Sequence, residues 1–180
     1  LTWAELSSLD AGSWLAPKFA GERIMRFDAF LDWAFPTDGS ATGLLYIPGG
    51  GSKHPASHAS IDQRLHYLRM DGGEVFKLAV RRMSESADRV LRAAKIKREQ
   101  VACFIPHQAN SRIIHAVAKW ANVPIEKVYS NVERYGNTSA ASNLIALFEA
   151  LEEGQIKRGD YVLLVAFGAG LTWGSILLQW

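Results

Sequence analysis

The last 20 residues, Tyr161–Trp180, contain no charged side chain, and this stretch constrains the fold more than any other part of the sequence. Its length is close to the roughly 20 apolar residues that a transmembrane helix needs. However, Gly168, Gly170 and Gly174 interrupt it, and its first part, Tyr161–Phe167, is rich in residues that favour strands. The pattern therefore predicts two buried strands joined by a glycine-rich turn, and no membrane span.

A helical pattern stands at the centre of the chain. From Gly73 onward, apolar residues recur at three- and four-residue spacing, and this predicts an amphipathic helix of about five turns. The inward positions are Phe76, Ala79, Val80, Met83, Ala87, Val90, Leu91 and Ala94. The opposite face is charged, which is more typical of a solvated surface than of a binding patch.

Strands and helices alternate in the rest of the chain. The sequence predicts a buried strand over Val101–Ile105, a helix around Asn110–Ala121, a brief strand at Val128–Tyr129 and a helix over Ser139–Glu152. The apolar stripe of that last helix is expected to be Leu144, Leu147, Phe148 and Leu151. The alternation indicates an α/β fold, and the closing strand pair indicates a mixed sheet rather than a plain doubly wound one.

Composition excludes several classes of protein. The chain has 180 residues, 48% of them hydrophobic and 21% charged, which is an ordinary globular balance. Its formal net charge of +2 gives no electrostatic reason to expect a nucleic-acid partner. A single cysteine, Cys103, cannot form an internal disulfide and fits a reducing compartment.

The N-terminal third is less informative. Residues 37–62 are dense in glycine, proline and serine, and this composition predicts a long loop of the kind that is often functional. Residues 1–36 show no sustained period of two or 3.6. The start of the chain has no basic region followed by an apolar stretch, so we expect no secretory signal. It also lacks an initiator methionine, which is typical of a trimmed chain or a fragment.

Three polar clusters stand where a predicted strand or loop leads into a helix or a turn: Pro106–Asn110, Tyr135–Ser139 and Phe167–Gly170. Scaffolds commonly present side chains to ligands at such positions. Taken singly, a histidine at a strand end is more often structural, and an asparagine before Thr-Ser is more often a turn residue or a helix cap. Their occurrence together, each at an element end, favours a functional site.

The segments around these clusters carry a resemblance to a known family. Val101–Ile114 contains Pro-His-Gln-Ala-Asn, Arg134–Ser142 contains Tyr-Gly-Asn-Thr-Ser, and Ala166–Ser175 contains Phe-Gly-Ala-Gly. Together with Tyr46–Ser52 and Met70–Lys77, they resemble the C-terminal half of a β-ketoacyl-acyl-carrier-protein synthase III. The resemblance implies the C-terminal half of a thiolase-like fold, with helices packed on a layered mixed sheet.

The resemblance also implies a reaction. In this family a cysteine takes an acyl group from acyl-CoA, and malonyl-acyl-carrier protein then loses carbon dioxide and attacks it, which initiates fatty-acid synthesis. His107 and Asn137 match the histidine and asparagine of the family's Cys-His-Asn triad, whose two donors stabilise the enolate. For this role His107 has to be neutral and donate a ring N–H. Phe167 matches a residue of the malonyl pocket, and Gly168, Ala169 and Gly170 form the loop that would give a backbone donor to the oxyanion.

Binding residues follow from the same resemblance. Gly72, Phe76, Ala109 and Asn110 correspond to positions along the tunnel for the pantetheine arm, and Arg112 corresponds to the arginine that meets acidic acyl carrier protein. The resemblance implies no resident cofactor or metal, with CoA and phosphopantetheine thioesters as substrates. It further implies a cytoplasmic enzyme that is a homodimer when intact, with no nucleic-acid or membrane partner.

The sequence departs from the family pattern at its N-terminal side. The family's nucleophilic cysteine lies in an N-terminal half that has no counterpart here, and Cys103 lies inside an apolar strand, where cysteine is usually a small buried hydrophobe. Residues 1–36 do not match the family, and a junction with unrelated sequence, a disturbed reading frame or divergence would each explain this. We therefore divide the chain into this unmatched segment and a thiolase-like domain at 37–180. Ala169 replaces a glycine of the family.

Three functional interpretations remain open. The first is the His and Asn half of a condensing enzyme, inactive alone. The second is a non-catalytic partner that binds carrier protein or docks on a complete synthase. The third is a decarboxylase of malonyl thioesters that needs no cysteine. Because a lone half of this fold would expose apolar surface, we expect Ala140, Ala141 and Leu144 to be covered by another half or subunit.

Overall fold

The computed structural model describes residues 37–180, so the expectation for residues 1–36 lies outside the described residues. Short turns of 3-10 helix lie at Gly39–Leu44, Arg98–Gln100, Ile125–Lys127 and Ser139–Ala141. The other elements are, in chain order, β1 (Leu45–Tyr46), α1 (His58–Asp62), β2 (Arg69–Met70), α2 (Gly72–Ala94), β3 (Val101–Pro106), α3 (Ser111–Trp120), α4 (Val132–Tyr135), α5 (Ser142–Glu152), β4 (Tyr161–Gly168) and β5 (Thr172–Gln179).

The main sheet has the strand order β3-β4-β5. β3 runs parallel to β4, with Pro106 opposite Val165, and β4 pairs with β5 as an antiparallel hairpin. The predicted α/β fold with a mixed sheet is thus confirmed, as is the strand pair at the C-terminus. No helix within residues 37–180 is long and apolar enough to span a membrane. The hairpin turns through Gly170, whose φ of +78° is one that glycine adopts without strain.

Side chains alternate between the two faces of the sheet, and each face has its own core. On β4, Leu163, Val165 and Phe167 belong to a cluster that includes the buried faces of α2 and α3. Val162 and Leu164 belong to a second cluster, which includes the buried face of α5. Because both faces are covered by helices, β3 and β4 are nearly continuous apolar runs, as their sequence predicts.

Helix α2 has the predicted position and the predicted inward face. Asp71 caps its first turn, where Oδ1 accepts a hydrogen bond from the Glu74 N–H at 3.1 Å. Its buried residues are Val75, Ala79, Val80, Met83, Ser84, Ala87 and Leu91. The assignment of Ala94 to the inward face is wrong: Ala94 is exposed, because the helix ends there and the chain turns back at Lys95, whose φ is +58°.

Helix α5 exists as predicted, but its predicted apolar stripe is only partly buried: Leu147 and Leu151 are half-buried against the second cluster. The side chains of Ser142, Ala146 and Ala150 are buried, whereas Leu144 and Phe148 are 67% and 63% exposed. Small side chains at four-residue spacing let the helix backbone lie close to β3 and β4, which bulky leucines on that face would prevent. The helix also begins at Ser142, three residues later than the predicted Ser139, because residues 139–141 form a 3-10 turn.

Two shorter segments also differ from the predictions. Val128 makes only an isolated bridge to Phe104, so the brief strand at Val128–Tyr129 does not form a strand of the sheet. Residues 37–62 are not entirely loop, since they contain a 3-10 turn, β1 and α1. β1 pairs with β2 as a small antiparallel ribbon separate from the main sheet.

Candidate active site

His107 follows the last residue of β3 and lies beside the end of β4. Its backbone N–H donates to the carbonyl oxygen of Val165 at 2.7 Å, so the pairing of the two strands continues through this residue. Because β3 and β4 are parallel, their carboxyl ends meet at one edge of the sheet, the usual place for ligand sites in α/β folds. The His107 side chain is half-buried at this edge.

The imidazole of His107 has one defined partner. Its Nδ1 atom lies 2.6 Å from the hydroxyl oxygen of Ser142, the buried first residue of α5. Burial lowers the pKa of His107 below its ordinary value of 6.5. The ring is therefore neutral at pH 7, with one nitrogen that donates a hydrogen bond and one that accepts.

The neighbouring residue, Gln108, stabilises this edge of the sheet through a buried side chain. Its side chain is 1% exposed, and its Nε2 group donates to the carbonyl oxygens of Pro106 at 2.7 Å and Tyr129 at 3.3 Å. Its Oε1 atom accepts from the backbone N–H of Asn131 at 2.9 Å. These bonds connect the end of β3 to the segment that leads into α4, so they fix the backbone on both sides of His107.

Asn137 lies on the turn between α4 and α5. Its Oδ1 atom accepts from the backbone N–H of Ser139 at 2.9 Å, a local turn of the kind asparagine favours. This bond occupies the oxygen and leaves the Nδ2 donors for another partner. The preceding residue, Gly136, has φ +65° and ψ −158°, a conformation that is essentially restricted to glycine. Asn137 is exposed, and its turn leads directly to Ser142, the partner of His107.

The third predicted cluster lies at the carboxyl end of β4. Phe167 is buried in the core cluster shared with α2 and α3, two residues beyond Val165. Gly168 forms the last pair of the hairpin with Thr172, and the exposed Ala169 and Gly170 follow it. The structure thus brings the His107 and Phe167 segments together at one sheet edge.

The predicted binding residues lie at the start of α2 and α3. Gly72 is the exposed first residue of α2, and Phe76, one turn later, is half-buried. Phe76 and Ala109 both pack against the core cluster between the sheet and these helices. Asn110 caps α3, where its Oδ1 atom accepts from the Ile113 N–H at 2.9 Å, and Arg112 is exposed in the first turn.

Two residues that the sequence reading missed contribute to this edge. Ser142 contacts His107, and Asn143 donates through Nδ2 to the carbonyl oxygens of Ile105 at 2.8 Å and Val165 at 3.2 Å. The bonds of Asn143 link the ends of β3 and β4 to α5. The signal that could have pointed to Ser142 is its four-residue spacing with Ala146 and Ala150, which indicates a close helix–sheet contact.

A charged network supports the turn that carries Asn137. Glu149 accepts hydrogen bonds at Oε2 from Asn131 Nδ2 at 2.7 Å and from Arg134 Nη2 at 2.9 Å. The Tyr135 hydroxyl donates to the other oxygen of the same carboxylate. The hydrogen bonds that Glu149 accepts lower the pKa of its carboxyl group below the usual range, and the bond from the Tyr135 hydroxyl has the largest effect. The network joins α4 to α5 on either side of the turn.

Cys103 lies apart from these groups, in the core cluster between the sheet and α5. Burial, with a smaller contribution from the charge of Asp160, raises the pKa of its thiol to about 11, so the nucleophilic thiolate is scarce at neutral pH. This agrees with the expectation that Cys103 is not the nucleophile. Residues 37–180 contain no group of three or more His, Cys, Asp or Glu side chains placed to hold a metal ion.

Comparison with known proteins gives a consistent result. Residues 91–180 match the family described as 3-oxoacyl-[acyl-carrier-protein (ACP)] synthase III C terminal. A β-ketoacyl-[acyl-carrier-protein] synthase III of Koribacter versatilis is 49% identical over 166 residues, which are 92% of this chain and 49% of that protein. One from Caldanaerobacter subterraneus is 50% identical over 143 residues, 79% of this chain and 43% of that protein.

Solved structures agree with the sequence relatives. The 3-oxoacyl-[acyl-carrier-protein] synthase III from Aquifex aeolicus superposes with a TM-score of 0.68 and 48% identity, over 81% of this chain and 42% of that one. The enzyme of the same name from Pseudomonas aeruginosa superposes with a TM-score of 0.72 and 40% identity, over 81% of this chain and 44% of that one. These matches confirm the thiolase-like fold. The chain spans about half the length of the curated relatives it matches, and it belongs to the 3-oxoacyl-[acyl-carrier-protein] synthase III family through its C-terminal region.

Proposed function

We propose that this chain is the C-terminal half of a β-ketoacyl-acyl-carrier-protein synthase III and supplies the histidine and asparagine of its Cys-His-Asn triad. The observation that carries the proposal is the position of the His107 ring, which Ser142 holds at the carboxyl ends of β3 and β4. Burial there lowers the pKa of His107, which favours the neutral ring. Asn137 lies on the turn that precedes α5, where its Oδ1 atom accepts from the Ser139 N–H. Ser142, the first residue of α5, is the partner of His107. The proposed reaction is the decarboxylative condensation of acyl-CoA with malonyl-acyl-carrier protein.

The chemistry assigns each group a role. When the bond between the malonyl carboxylate and its methylene carbon breaks, carbon dioxide leaves and the electron pair forms an enolate on the thioester. His107 and Asn137 donate N–H groups to the enolate oxygen. The enolate carbon then attacks the acyl carbonyl, and the cysteine thiolate of the N-terminal half leaves. Loss of one such donor typically lowers a rate by about a hundred- to a thousandfold.

The remaining predicted residues receive binding roles in the same scheme. Phe167 forms one wall of the malonyl pocket, and a backbone N–H within Gly168–Gly170 donates to the oxyanion. The pantetheine arm lies along Gly72, Phe76, Ala109 and Asn110, where exposed backbone and half-buried apolar side chains suit a linear chain. The exposed Arg112 meets the acidic carrier protein. No resident cofactor takes part, and the intact enzyme acts as a cytoplasmic homodimer.

This chain alone is expected not to condense acyl groups. Its relatives are about twice the length that it covers, and Cys103 is buried with a raised pKa. A chimera tests the proposal: residues 37–180 replace the matching part of the Koribacter versatilis synthase. We expect the chimera to condense acetyl-CoA with malonyl-acyl-carrier protein, and His107→Ala or Asn137→Ala to lower carbon dioxide release by about a hundredfold or more. Ser84→Ala, a buried change on α2, serves as the matched control. A folded chimera in which neither triad substitution lowers the rate would contradict the proposal.

A second candidate function is decarboxylation of malonyl thioesters without acyl transfer. It is favoured by the presence of His107 and Asn137 on one chain together with the burial of Cys103. Carbon dioxide release from malonyl-acyl-carrier protein by this chain alone would support it. Binding of carrier protein with no carbon dioxide release would instead support the interpretation of the chain as a non-catalytic partner.

A further inference from the structure

The Ser142 hydroxyl is a buried group with two close neighbours. Ser142 is 1% exposed, and its Oγ atom lies 2.6 Å from His107 Nδ1 and 3.3 Å from the backbone nitrogen of Gln108. The backbone N–H of Gln108 can only donate, so Oγ accepts from it. The Gln108 side chain, itself buried and fully hydrogen-bonded, keeps that N–H in place.

The hydrogen of the Ser142 hydroxyl then has one available acceptor. A serine hydroxyl carries a single hydrogen, and within residues 37–180 the only acceptor in hydrogen-bond contact with Oγ is Nδ1 of His107. If Nδ1 carried the ring proton instead, the hydroxyl hydrogen would be buried without a partner, which costs free energy. The favoured arrangement is a chain of donors, from the Gln108 N–H to Ser142 and from Ser142 to His107.

We propose that Ser142 is a positioning residue that fixes His107 as the tautomer protonated at Nε2. Nδ1 is then occupied as an acceptor, and Nε2–H is the one ring donor left for a substrate oxygen. The structural claim concerns this chain alone, whereas its catalytic consequence rests on the proposed function. Burial of the ring, which keeps it neutral at pH 7, agrees with the assignment.

The tautomer can be measured directly by NMR on this chain. Two-bond ¹H–¹⁵N correlation spectra of protein labelled with ¹⁵N-histidine distinguish the two neutral tautomers, and His107→Asn identifies the His107 signals. We expect wild-type His107 to carry its proton on Nε2 at neutral pH. A proton on Nδ1 would overturn the proposal without any need for a variant at Ser142.

Substitution tests the role of the hydroxyl itself. In Ser142→Ala we expect the tautomer ratio to move toward Nδ1–H by about three- to tenfold, the equivalent of one lost hydrogen bond. Ser142→Thr, which retains a hydroxyl, should restore the wild-type ratio. Ser84→Ala is the matched control, because Ser84 is a buried helical serine whose hydroxyl has no hydrogen-bond partner in the described structure. An unchanged ratio in a folded Ser142→Ala chain would contradict the proposal.

Kinetics in the chimera distinguish this proposal from the proposed function. We expect Ser142→Ala to lower kcat for carbon dioxide release by about tenfold and to leave KM unchanged, since the hydroxyl does not touch substrate. A change in KM alone would contradict a positioning role. If His107→Ala left the rate unchanged while the spectra showed Nε2–H, the proposed function would fail and the tautomer assignment would stand.

Discussion

At the residue scale, the proposed reaction depends on keeping the half-buried imidazole of His107 neutral. Burial lowers the pKa of His107, and the hydroxyl of Ser142 occupies Nδ1. Both effects favour the uncharged ring, which is the form that donates one N–H and accepts at the other nitrogen. A charged imidazolium would lose the bond from the Ser142 hydroxyl to Nδ1, because both of its nitrogens donate.

The lowered pKa predicts how stability depends on pH. Because His107 titrates below 6.5 when folded and near 6.5 when unfolded, the unfolded chain binds more protons as the pH falls below that value. The stability contributed by neutral His107 is therefore complete above about pH 6.5 and is lost as the pH falls through the folded pKa, at no more than about 1.4 kcal/mol per pH unit.

Urea unfolding between pH 7.5 and pH 5 would measure this effect. We expect the wild-type chain to lose more free energy of unfolding over this range than His107→Asn, which keeps an acceptor near the position of Nδ1 and does not titrate. The other histidines are common to both proteins, so their contributions to the free energy of unfolding cancel when the two losses are subtracted. Equal losses in the two proteins would contradict the account of His107.

Part of this site could be predicted from residue types and their spacing. His107 and Asn137 stand in polar clusters at element ends, where a short motif carries the signal. Ser142 belongs to no such motif: its four-residue spacing with Ala146 and Ala150 indicates a close helix–sheet contact, but its partner His107 lies 35 positions away. A buried polar partner of this kind becomes visible only when the packing of α5 against the sheet is known.

At the element scale, α5 shows how a strong hydrophobic pattern can misplace the centre of a buried face. Leu147 and Leu151 are half-buried and the larger predicted set also includes the exposed Leu144 and Phe148, whereas the fully buried row is Ser142, Ala146 and Ala150. The existence of the helix is predictable from its period, but the choice between two apolar faces depends on how closely the helix approaches the strands. The same closeness brings Ser142 to His107.

Because α5 lies close to the sheet, a larger side chain on its buried face should lower the free energy of unfolding. Ala146 is 0% exposed in the cluster that includes Ile105 and Leu164, so Ala146→Leu should lower the free energy of unfolding by about 1–3 kcal/mol. The same substitution at the exposed Ala94 should change it by less than about 0.5 kcal/mol. Urea unfolding of the two variants provides the comparison. A larger loss for Ala94→Leu than for Ala146→Leu would contradict the close packing of α5 on the sheet.

At the scale of the whole molecule, the chain covers about half of its relatives and leaves apolar side chains uncovered. Ala140, Ala141 and Leu144, which the sequence predicts to be covered by another half or subunit, are exposed in this structure. Phe148 and Ile176 are also 63% and 58% exposed. Exposed apolar surface of this kind is typical of an interface.

This surface predicts that the chain self-associates when no other half is present. Sedimentation velocity should show concentration-dependent association of the wild-type chain, and the double substitution Leu144→Gln with Phe148→Gln should reduce it. Trp120→Gln, which removes an exposed apolar side chain from α3, is the control and should leave the association unchanged. A wild-type chain that stays monomeric at all concentrations would argue against a covered face on α5.

In the proposed reaction, the imidazole of His107 and the carboxamide of Asn137 donate to a single thioester oxygen. A crystal structure of the chimera with a non-reactive malonyl thioester analogue would test it most directly. We expect His107 Nε2 and Asn137 Nδ2 both to lie within about 2.7–3.2 Å of that oxygen. Side chains directed into separate sites, with at most one of them near the thioester, would contradict it.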